Sequence, residues 1–590
     1  MIKIINILFI TLFFSSICFC EEFFPKDGII DKFDPIASPD AETGGEISVY
    51  AGPYPKSLNY YLHNSAFSGE FFGEIYETLL ATNSITLEYE PALAEKWSIS
   101  DDKKTFTFYI NKKAKWSDGV PITSLDVKWT FDAIIDSKNL TGPHKVAMEV
   151  FEEPKIIDKQ TIKFTAKEVH WRNLGACGGF SILPKHVYEG KDFNKINFEF
   201  PVVSGRYKLG DISEGIYITI KRRNDYWNIK AKSCQGVANF DTMKFIFFAE
   251  RENAFDAFKK GLIDLFPIYT AHLWVKRTTG EQFTNNWIIK QKIYNSKPVG
   301  FQGFAMNMRK PPFDDIRVRQ AMAFLLDRKK MNSALMYSQY FLHKSYYEDL
   351  FDKETPCPNT FIDMDKTKAR ELLKDAGFIV NPKTGFLEKD GKKFSFRFLN
   401  YEASSEKFLN IYSEDLKDVG IELIIDKKDW SAWAKDMDEF NFEMTWAAWS
   451  SGVFKDPEGM WASKEAERKS GTNITGFKDE RVDQLIEDQK SIFDVSKRKK
   501  ICREIDKIVY EKYPYVLLWN NNYIRLLYWN KFGTPSTVLS KYGDESSAYW
   551  YWWIDKDSYA DLYDSMDKKL PLPQKASSIY FEDIFKTYLR

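Results

Sequence analysis

Residues 94–135 read AEKWSISDDKKTFTFYINKKAKWSDGVPITSLDVKWTFDAII and place two strands and a helix in immediate succession. Apolar and polar side chains alternate from Thr105 to Ile110, which predicts a strand with one apolar face. Thr123 and Asp126 form a T-x-x-D capping box, and the apolar side chains that follow recur at helical spacing. The stretch therefore predicts a strand pair joined by a D-D-K turn and followed by a capped amphipathic helix.

Three further segments extend this pattern along the chain. They are PVVSGRY with ITIKRRNDYW at 201–227, NAFDAFKKGLIDL at 253–265, and FAMNMRKPPFDDIRVRQAMAFLLD at 304–327. Together with residues 94–135, and in this order, they resemble the family 5 extracellular solute-binding proteins, the receptors of bacterial ABC importers. The segments PDAETGG at 39–45 and ACGGFSILPKHVY at 176–188 resemble the YejA-type branch, which is associated with oligopeptides and microcin C-type peptide conjugates.

The resemblance implies an α/β fold with mixed α+β sheets. The expected architecture is the two-lobed type II fold of periplasmic binding proteins, in its large class C form with an inserted domain. The implied division is a signal peptide at 1–20, an N-terminal arm at 21–44, a first lobe at 45–70, 190–300 and 522–590, an inserted domain at 71–189, and a second lobe at 301–521. Chain crossings near Gly300 and Asn520 would form the hinge.

Composition fits an exported binding protein and excludes some alternatives. A chain of 590 residues is too long for one core, and its 44% hydrophobic content supports globular packing. The net charge of −1 provides no field that would attract nucleic acid. An aromatic content of 16%, with 17 Trp, suits a large apolar core and an apolar cleft.

The first twenty residues predict export. Lys3 precedes a nearly continuous apolar run from Ile7 to Phe14, which is too short to span a bilayer, and polar sequence begins at Glu21. Cleavage before Glu21 would give a free periplasmic or extracytoplasmic protein. Lipid attachment at Cys20 is the alternative, although the bulky Phe19 disfavours it.

The remaining cysteines do not form a recognisable site. Cys177, Cys234, Cys357 and Cys502 include no C-x-x-C pair, and in an oxidising compartment they allow buried thiols or up to two bridges. The six His are scattered and do not pair with Cys at zinc-ligand spacing. We therefore expect no metal and no cofactor.

The resemblance also implies positions for a ligand-binding cleft. It places the turn containing Asn59 and Tyr60 at the cleft, together with the strand WAAWSS at 446–451, whose backbone would pair with a ligand. A buried strand with both indoles in the lobe core is the alternative for the second segment. The full set of candidate positions is Asn59, Tyr60, Phe180, Phe304, Asn307, Trp446, Ala448, Trp449, Ser450, Asp456 and Arg468.

One departure from the family concerns the amino terminus of the ligand. Peptide receptors of this family often carry an Asp just after the ligand-pairing strand, and here Ser450, Ser451 and Gly452 occupy that stretch. The nearest acid is Asp456, which precedes Pro457 and also fits a turn residue. Arg468 is a candidate for a ligand carboxylate, with a solvated surface position as its alternative.

The predicted function is the capture of an oligopeptide or peptide conjugate for an ABC permease and its ATPase subunits, by a monomer without catalytic activity. One alternative is an oligosaccharide receptor of the same fold, since aromatic side chains also stack on sugars. A secreted hydrolase is the other alternative. Its motifs, K-T-G at 383–385 and S-x-x-K at 496–499, occur in the wrong order for penicillin-recognising acylases.

Overall fold

The computed structural model describes residues 21–28 and 31–588. The predicted signal peptide and the candidate lipid-attachment residue Cys20 lie outside these residues. Three large sheets form the framework of the fold. Within the part of the chain that the structure describes, no helix has the length and apolar character needed to span a membrane.

The first sheet, here called the insert sheet, is built around the stretch 94–135. Its five antiparallel strands lie in the spatial order Glu21–Phe24, Ala94–Ser100, Thr105–Ile110, Thr161–Thr165 and Lys155–Asp158. The helix Ser124–Ile135 begins at the predicted capping box, and its Phe131 packs against Phe164 with 5.9 Å between ring centroids. The strand pair and the capped helix are therefore confirmed.

The N-terminal segment differs from the sequence-based expectation. An arm was expected over residues 21–44, but Glu21–Phe24 pairs with Ala94–Ser100 as the edge strand of the insert sheet. The polar character of EEFF suits an edge strand, because only one of its sides is paired. Phe24 stacks on Trp97 with ring centroids 5.7 Å apart, which supplies apolar contact for the added strand.

The second sheet, here called the large sheet, collects strands from distant parts of the chain. Its eight strands lie in the spatial order Ser578–Tyr580, Ile288–Tyr294, Ile524–Trp529, Leu265–Pro267, Glu46–Tyr50, Thr242–Ile246, Tyr217–Arg222 and Tyr207–Ser213. Glu46–Tyr50 is parallel to both of its neighbours, and most other pairs are antiparallel. Parallel and antiparallel pairs in one sheet give the mixed α/β fold that the resemblance implied.

The third sheet lies in residues 301–521, here called the second lobe. Its strands lie in the spatial order Glu422–Lys427, Ser395–Asn400, Met444–Trp449, Phe301–Met306 and Tyr515–Leu517. The chain passes between the large sheet and this sheet twice, over residues 295–300 and 518–523. Two crossings of this kind are the connections that a hinge between two lobes requires.

The remaining elements are short strands and the helices. The short strands are Leu80–Thr82, Tyr89–Pro91, Phe341–Leu342, Trp519–Asn520, Ile379–Val380, Leu387–Lys389, Lys392–Lys393, Phe532–Gly533 and Trp553–Ile554. The α-helices are Ala66–Ile75, Ser124–Ile135, Gly142–Met148, Arg172–Gly178, Lys185–Tyr188, Arg251–Lys259, Glu281–Thr284, Ile316–Phe324, Arg328–Met336, Lys366–Asp375, Glu406–Lys417, Trp430–Asp438, Glu458–Trp461, Glu480–Lys490, Val495–Lys512, Ser547–Tyr551, Lys556–Lys568 and Phe581–Tyr588. Single 3₁₀ turns are Phe193–Lys195, Lys232–Cys234, Glu348–Leu350, Ala403–Ser405 and Ser463–Glu465, and Leu273–Arg277 is a π-helical turn.

The motif that ends at Trp227 has a packing role. The hydroxyl of Tyr226 and the indole N–H of Trp227 donate to the two carboxylate oxygens of Glu77, over 2.7 and 2.9 Å. This joins the loop after strand Tyr217–Arg222 to the end of helix Ala66–Ile75. A half-buried carboxylate that accepts two such bonds fixes the position of both aromatic rings.

All four cysteines in the described chain carry free thiols. Cys177 and Cys502 are buried, whereas Cys234 and Cys357 are partly exposed. Of the two readings that the sequence left open, the structure shows thiols rather than bridges.

Candidate ligand-binding site

The insert, meaning residues 71–189, contacts the second lobe through a short segment. The backbone N–H of Trp171 donates to the carbonyl of Lys490 over 2.9 Å, and the indole ring lies beneath the guanidinium of Arg498, 4.1 Å from its carbon. Trp171 is only 8% exposed as a result. We call this region, together with the ion pairs described next, the interlobe contact.

Charged side chains complete the interlobe contact. Arg172 pairs with Asp456 and, over 3.1 Å, with Glu458, and Lys490 and Lys464 also reach Glu458 over 2.9 and 2.6 Å. The approach of His170 to 3.8 Å, together with these two lysines, holds the pKa of Glu458 well below its usual range.

His170, Asp456 and Glu458 place ligand-type atoms within 4.8 Å of one another. The two carboxylates already have cationic partners, so the group forms an ion-pair network. Asp456 also accepts from the backbone N–H of Glu458 over 3.1 Å, which is the turn role. Because Arg172 neutralises Asp456, this carboxylate is poorly placed to anchor a ligand amine.

The strand Met444–Trp449 presents a free backbone edge. On one side it pairs with Phe301–Met306 along its full length, whereas Ser395–Asn400 pairs with it only as far as Thr445. The carbonyl of Gln302 accepts from Leu518, so the backbone groups of Gln302 point away from Met444–Trp449. Because bonding direction alternates along a strand, those of its partner Ala448 point to the opposite, open edge.

No strand of the described chain pairs with residues 446–449 at that edge, and Ala448 is exposed. The edge ends beside the chain crossing at residues 295–300. The backbones of Gly300 and Trp449 lie so close that a Cβ atom added to Gly300 would be 1.9 Å from the carbonyl oxygen of Trp449. Beyond it, the chain continues through exposed Ser450 to Asp456 at the interlobe contact. Residues 446–456 therefore run along the boundary between the lobes.

The two candidate tryptophans are half-buried and hydrogen-bonded within the lobe. The indole N–H of Trp446 donates to the side-chain oxygen of Gln302 over 3.0 Å, and that of Trp449 donates to the hydroxyl of Tyr515 over 3.1 Å. The Trp446 ring packs edge-to-face on Phe304, with 5.4 Å between centroids. Both rings therefore belong partly to the lobe core and keep part of their surface open.

An aromatic group near the open edge was missed in the sequence. Trp430 and Trp433 stack with centroids 5.1 Å apart, Tyr401 lies 4.9 and 4.8 Å from them, and the indole N–H of Trp433 reaches the Thr445 hydroxyl at 3.4 Å. Trp430 is 59% exposed. The W-x-x-W spacing on helix Trp430–Asp438 indicates a shared face, but the sequence does not show which strand that face would meet.

A cavity of about 200 Å³ brings together two of the predicted residues, Tyr60 and Phe180. Tyr61, His144, Met148 and Ser181 also line it. The hydroxyl of Tyr61 donates to the carbonyl of Ser181 over 2.5 Å, and the His144 Nε2 lies 3.1 Å from the carbonyl oxygen of Tyr60. Burial lowers the pKa of His144, which favours the neutral imidazole at neutral pH. No motif or spacing in the sequence indicated that Tyr61 and His144 would line this cavity.

Four predicted residues lie elsewhere. Phe304 is fully buried in the second-lobe core against Phe398 and Tyr412, because its side of the strand faces the helices. Asn307 is fully buried and donates to the carbonyls of residues 440 and 442.

Asn59 is also fully buried and bonds the carbonyl of Ile196. Arg468 lies on an exposed loop and pairs with Glu465 over 3.1 Å. Asn59, Phe304 and Asn307 thus make packing contacts, and Arg468 occupies the surface position that was its alternative.

Comparison with known proteins places this geometry among binding proteins. The model for bacterial extracellular solute-binding proteins, family 5 middle region, matches residues 88–471. The chain is 26% identical to the protein of Agrobacterium fabrum named "Probable peptide-binding protein YejA" over 515 residues, which is 80% of this chain and 83% of the relative. It is 25% identical to the oligopeptide-binding protein AppA of Bacillus subtilis over 532 residues, which is 87% of this chain and 92% of the relative.

Solved structures share the fold at lower identity. AppA of Bacillus subtilis in complex with a nonapeptide gives a TM-score of 0.66 at 22% identity, over 88% of this chain and 100% of that structure. DppA of Helicobacter pylori in complex with the peptide STSA gives a TM-score of 0.68 at 20% identity, over 87% of this chain and 99% of that structure. NikA of Brucella suis in complex with Fe(III)-EDTA gives a TM-score of 0.70 at 17% identity, over 85% of this chain and 99% of that structure.

Proposed function

This chain belongs to family 5 of the bacterial extracellular solute-binding proteins, and we propose that it captures an oligopeptide or peptide conjugate between its lobes for an ABC importer. The observation that carries the proposal is the open strand edge at Ala448. Its N–H and C=O can pair with an extended peptide, which adds to the sheet as a further strand. A buried peptide backbone needs such partners, because each unpaired amide costs about 1–3 kcal/mol.

Relatives support the choice of ligand. The YejA protein of Agrobacterium fabrum is named as peptide-binding, and AppA and DppA were solved with peptides. The contact residues we propose are the backbone of Ala448 and Ser450, the open faces of Trp446 and Trp449, and the cavity lined by Tyr60 and Phe180. No catalytic step is part of the proposal.

The proposed architecture and location follow the family. Residues 301–521 would form one lobe, and residues 45–70, 190–300 and 522–590 the other, with 71–189 inserted. Closure around the ligand would shift the population towards the state that makes the interlobe contact. In this proposal the segment 1–20 directs export, and the mature protein is free rather than lipidated at Cys20. The protein acts as a monomer and delivers its ligand to a permease with its ATPase subunits.

Native mass spectrometry of protein purified without unfolding tests the ligand class. We expect masses above that of the chain that dissociate into species sequenced as peptides. Isothermal titration with the recovered peptide should then give binding of the order of micromolar, or about −8 kcal/mol. Co-purified sugars, or a protein that binds no peptide from a diverse library, would contradict the proposal.

A further inference from the structure

We propose that the cavity lined by Tyr60, His144 and Phe180 binds one aromatic side chain of the ligand, a single six-membered ring such as that of phenylalanine or tyrosine. The cavity thereby selects peptides that carry this residue at one fixed position. This inference rests on the proposed function, because it requires a peptide-like ligand.

The size of the cavity matches one ring. Its volume is about 200 Å³, whereas an engineered protein cavity of about 150 Å³ lined by apolar side chains binds benzene. The volume is therefore sufficient for a benzyl group with its connecting methylene. The space is also larger than one or two water molecules require, at about 30 Å³ each in the liquid.

The walls are aromatic and uncharged. The rings of Tyr60 and Tyr61 meet the His144 ring edge-on, at centroid distances of 4.6 and 5.2 Å, and Phe180 completes the aromatic lining. Such rings prefer edge-to-face contact with a further ring. The described lining contains no Asp, Glu, Lys or Arg, so a charged ligand side chain would be buried without a partner at high cost.

Small residues form the facing wall. Gly175, Ala176 and Gly179 line the cavity. A Cβ at Gly179 would approach the carbonyl oxygen of Gly175 to 2.6 Å, and a Cβ at Gly175 would approach the hydroxyl of Tyr89 to 2.5 Å. Neither glycine therefore has room for a side chain, and this part of the lining consists of backbone and the Ala176 methyl group.

The cavity lies next to the interlobe contact. Gly175 and Ala176 belong to the helix Arg172–Gly178, whose first residue pairs with Asp456 and Glu458 of the second lobe. Ala176 is four residues from Arg172, which is about 6 Å along a helix. One helix thus carries both a residue of the interlobe contact and two residues of the cavity lining.

Isothermal titration with a matched peptide series tests the inference. The series consists of pentaalanine and of variants with one Phe or one Lys at each position. We expect one position at which Phe binds roughly ten- to a hundredfold more tightly than Ala, as burial of a full aromatic side chain implies. At that position Lys should bind more weakly than Ala.

Substitutions of residues that line the cavity test whether the Phe preference arises there. A176L fills the space and should lower the affinity for the Phe peptide to that for pentaalanine, whereas A176G at the same position should keep the Phe preference. M148F places a larger, rigid side chain at another lining residue and replaces A176L if that variant does not fold, as judged by circular dichroism.

A Phe preference that survives both filled variants, or no Phe preference at any position, would overturn the inference while peptide binding stands. If neither pentaalanine nor any other peptide of the series binds to the native protein, the proposed function fails instead, and the inference fails with it.

Discussion

Trp171 of the insert lies beneath the guanidinium of Arg498 of the second lobe, with 4.1 Å between the guanidinium carbon and the ring centroid. The same residue donates its backbone N–H to Lys490. Cation–π contact and burial of the indole are worth about 1–2 kcal/mol or more at a partly desolvated site. We therefore expect this pair to favour the arrangement in which the insert and the second lobe are in contact.

Replacement of Trp171 by alanine should favour the open arrangement. Peptide affinity should fall about tenfold or more, because a ligand that requires closure must now supply the energy that the contact provided. Small-angle X-ray scattering should show a larger radius of gyration for the ligand-free variant. Y559A removes an exposed aromatic of helix Lys556–Lys568 and should change neither quantity. Unchanged scattering and affinity in W171A would show that the contact does not bias closure.

Replacement of Ala448 by proline should weaken peptide binding by about tenfold or more. Proline removes the N–H at the open edge and leaves a ligand carbonyl unpaired, at a cost of about 1–3 kcal/mol. The sheet should tolerate it, because proline is accepted where the N–H is not part of a ladder. Titration calorimetry measures the effect, and A448S, which retains the N–H, is the control. Equal affinity for A448P would exclude backbone pairing at this residue.

Removal of the Asp126 carboxylate should destabilise the insert by about 2 kcal/mol. Its Oδ2 accepts from the backbone N–H of Thr123 over 2.8 Å, and its Oδ1 accepts from that of Lys185 over 3.0 Å. D126A leaves both donors without this acceptor and should lower the thermal midpoint by a few degrees in calorimetry. D132A, on the same helix but exposed, should stay within about 0.5 kcal/mol of the native protein. Equal effects of the two changes would argue against the cap.

The buried carboxyl of Asp506 should make the free energy of unfolding depend on pH. Burial raises its pKa to about 7, although the N–H groups of Tyr346 and Asn359 bond its oxygens. The folded protein thus holds a proton that the unfolded chain loses above pH 4. The contribution to the free energy of unfolding therefore falls from about pH 4 to 7 and is constant above that range.

D506N removes this titration. The difference in the free energy of unfolding, native minus D506N, should decrease by up to about 1.4 kcal/mol per pH unit between pH 4.5 and 6.5. Urea denaturation at a series of pH values measures it. E504Q alters an exposed carboxylate of the same helix. For this control, the difference in the free energy of unfolding from the native protein should not depend on pH. A pH-independent difference for D506N as well would show that the pKa of Asp506 is the same in the folded and unfolded chains.

Local signals in the sequence predicted several elements correctly. The capping box at Thr123 sets the start of a helix, because its bonds form between residues three apart. The strand expected from Thr105 to Ile110 occurs at these residues and pairs with Ala94–Ser100. These predictions rest on periodicity and caps, which are properties of consecutive residues.

The surroundings of the candidate site residues depend on tertiary packing. Tyr60 and Phe180 meet at one cavity, and Ala448 lies at an open edge, but Phe304 and Asn307 are buried in the lobe. A strand pattern shows that alternate side chains share a face. It does not show whether that face meets a helix, a solvent-filled boundary or another lobe.

The sequence alone determined the family, the mixed α/β fold, and the strands and helices whose bonds form within a few residues. Only the tertiary structure decided which distant residues meet. Arg172 and Asp456 are 284 positions apart and pair across the lobes, and Trp171 packs on Arg498. Such contacts depend on how whole sheets and helices pack, and this packing is a sum of many weak interactions that no local spacing records.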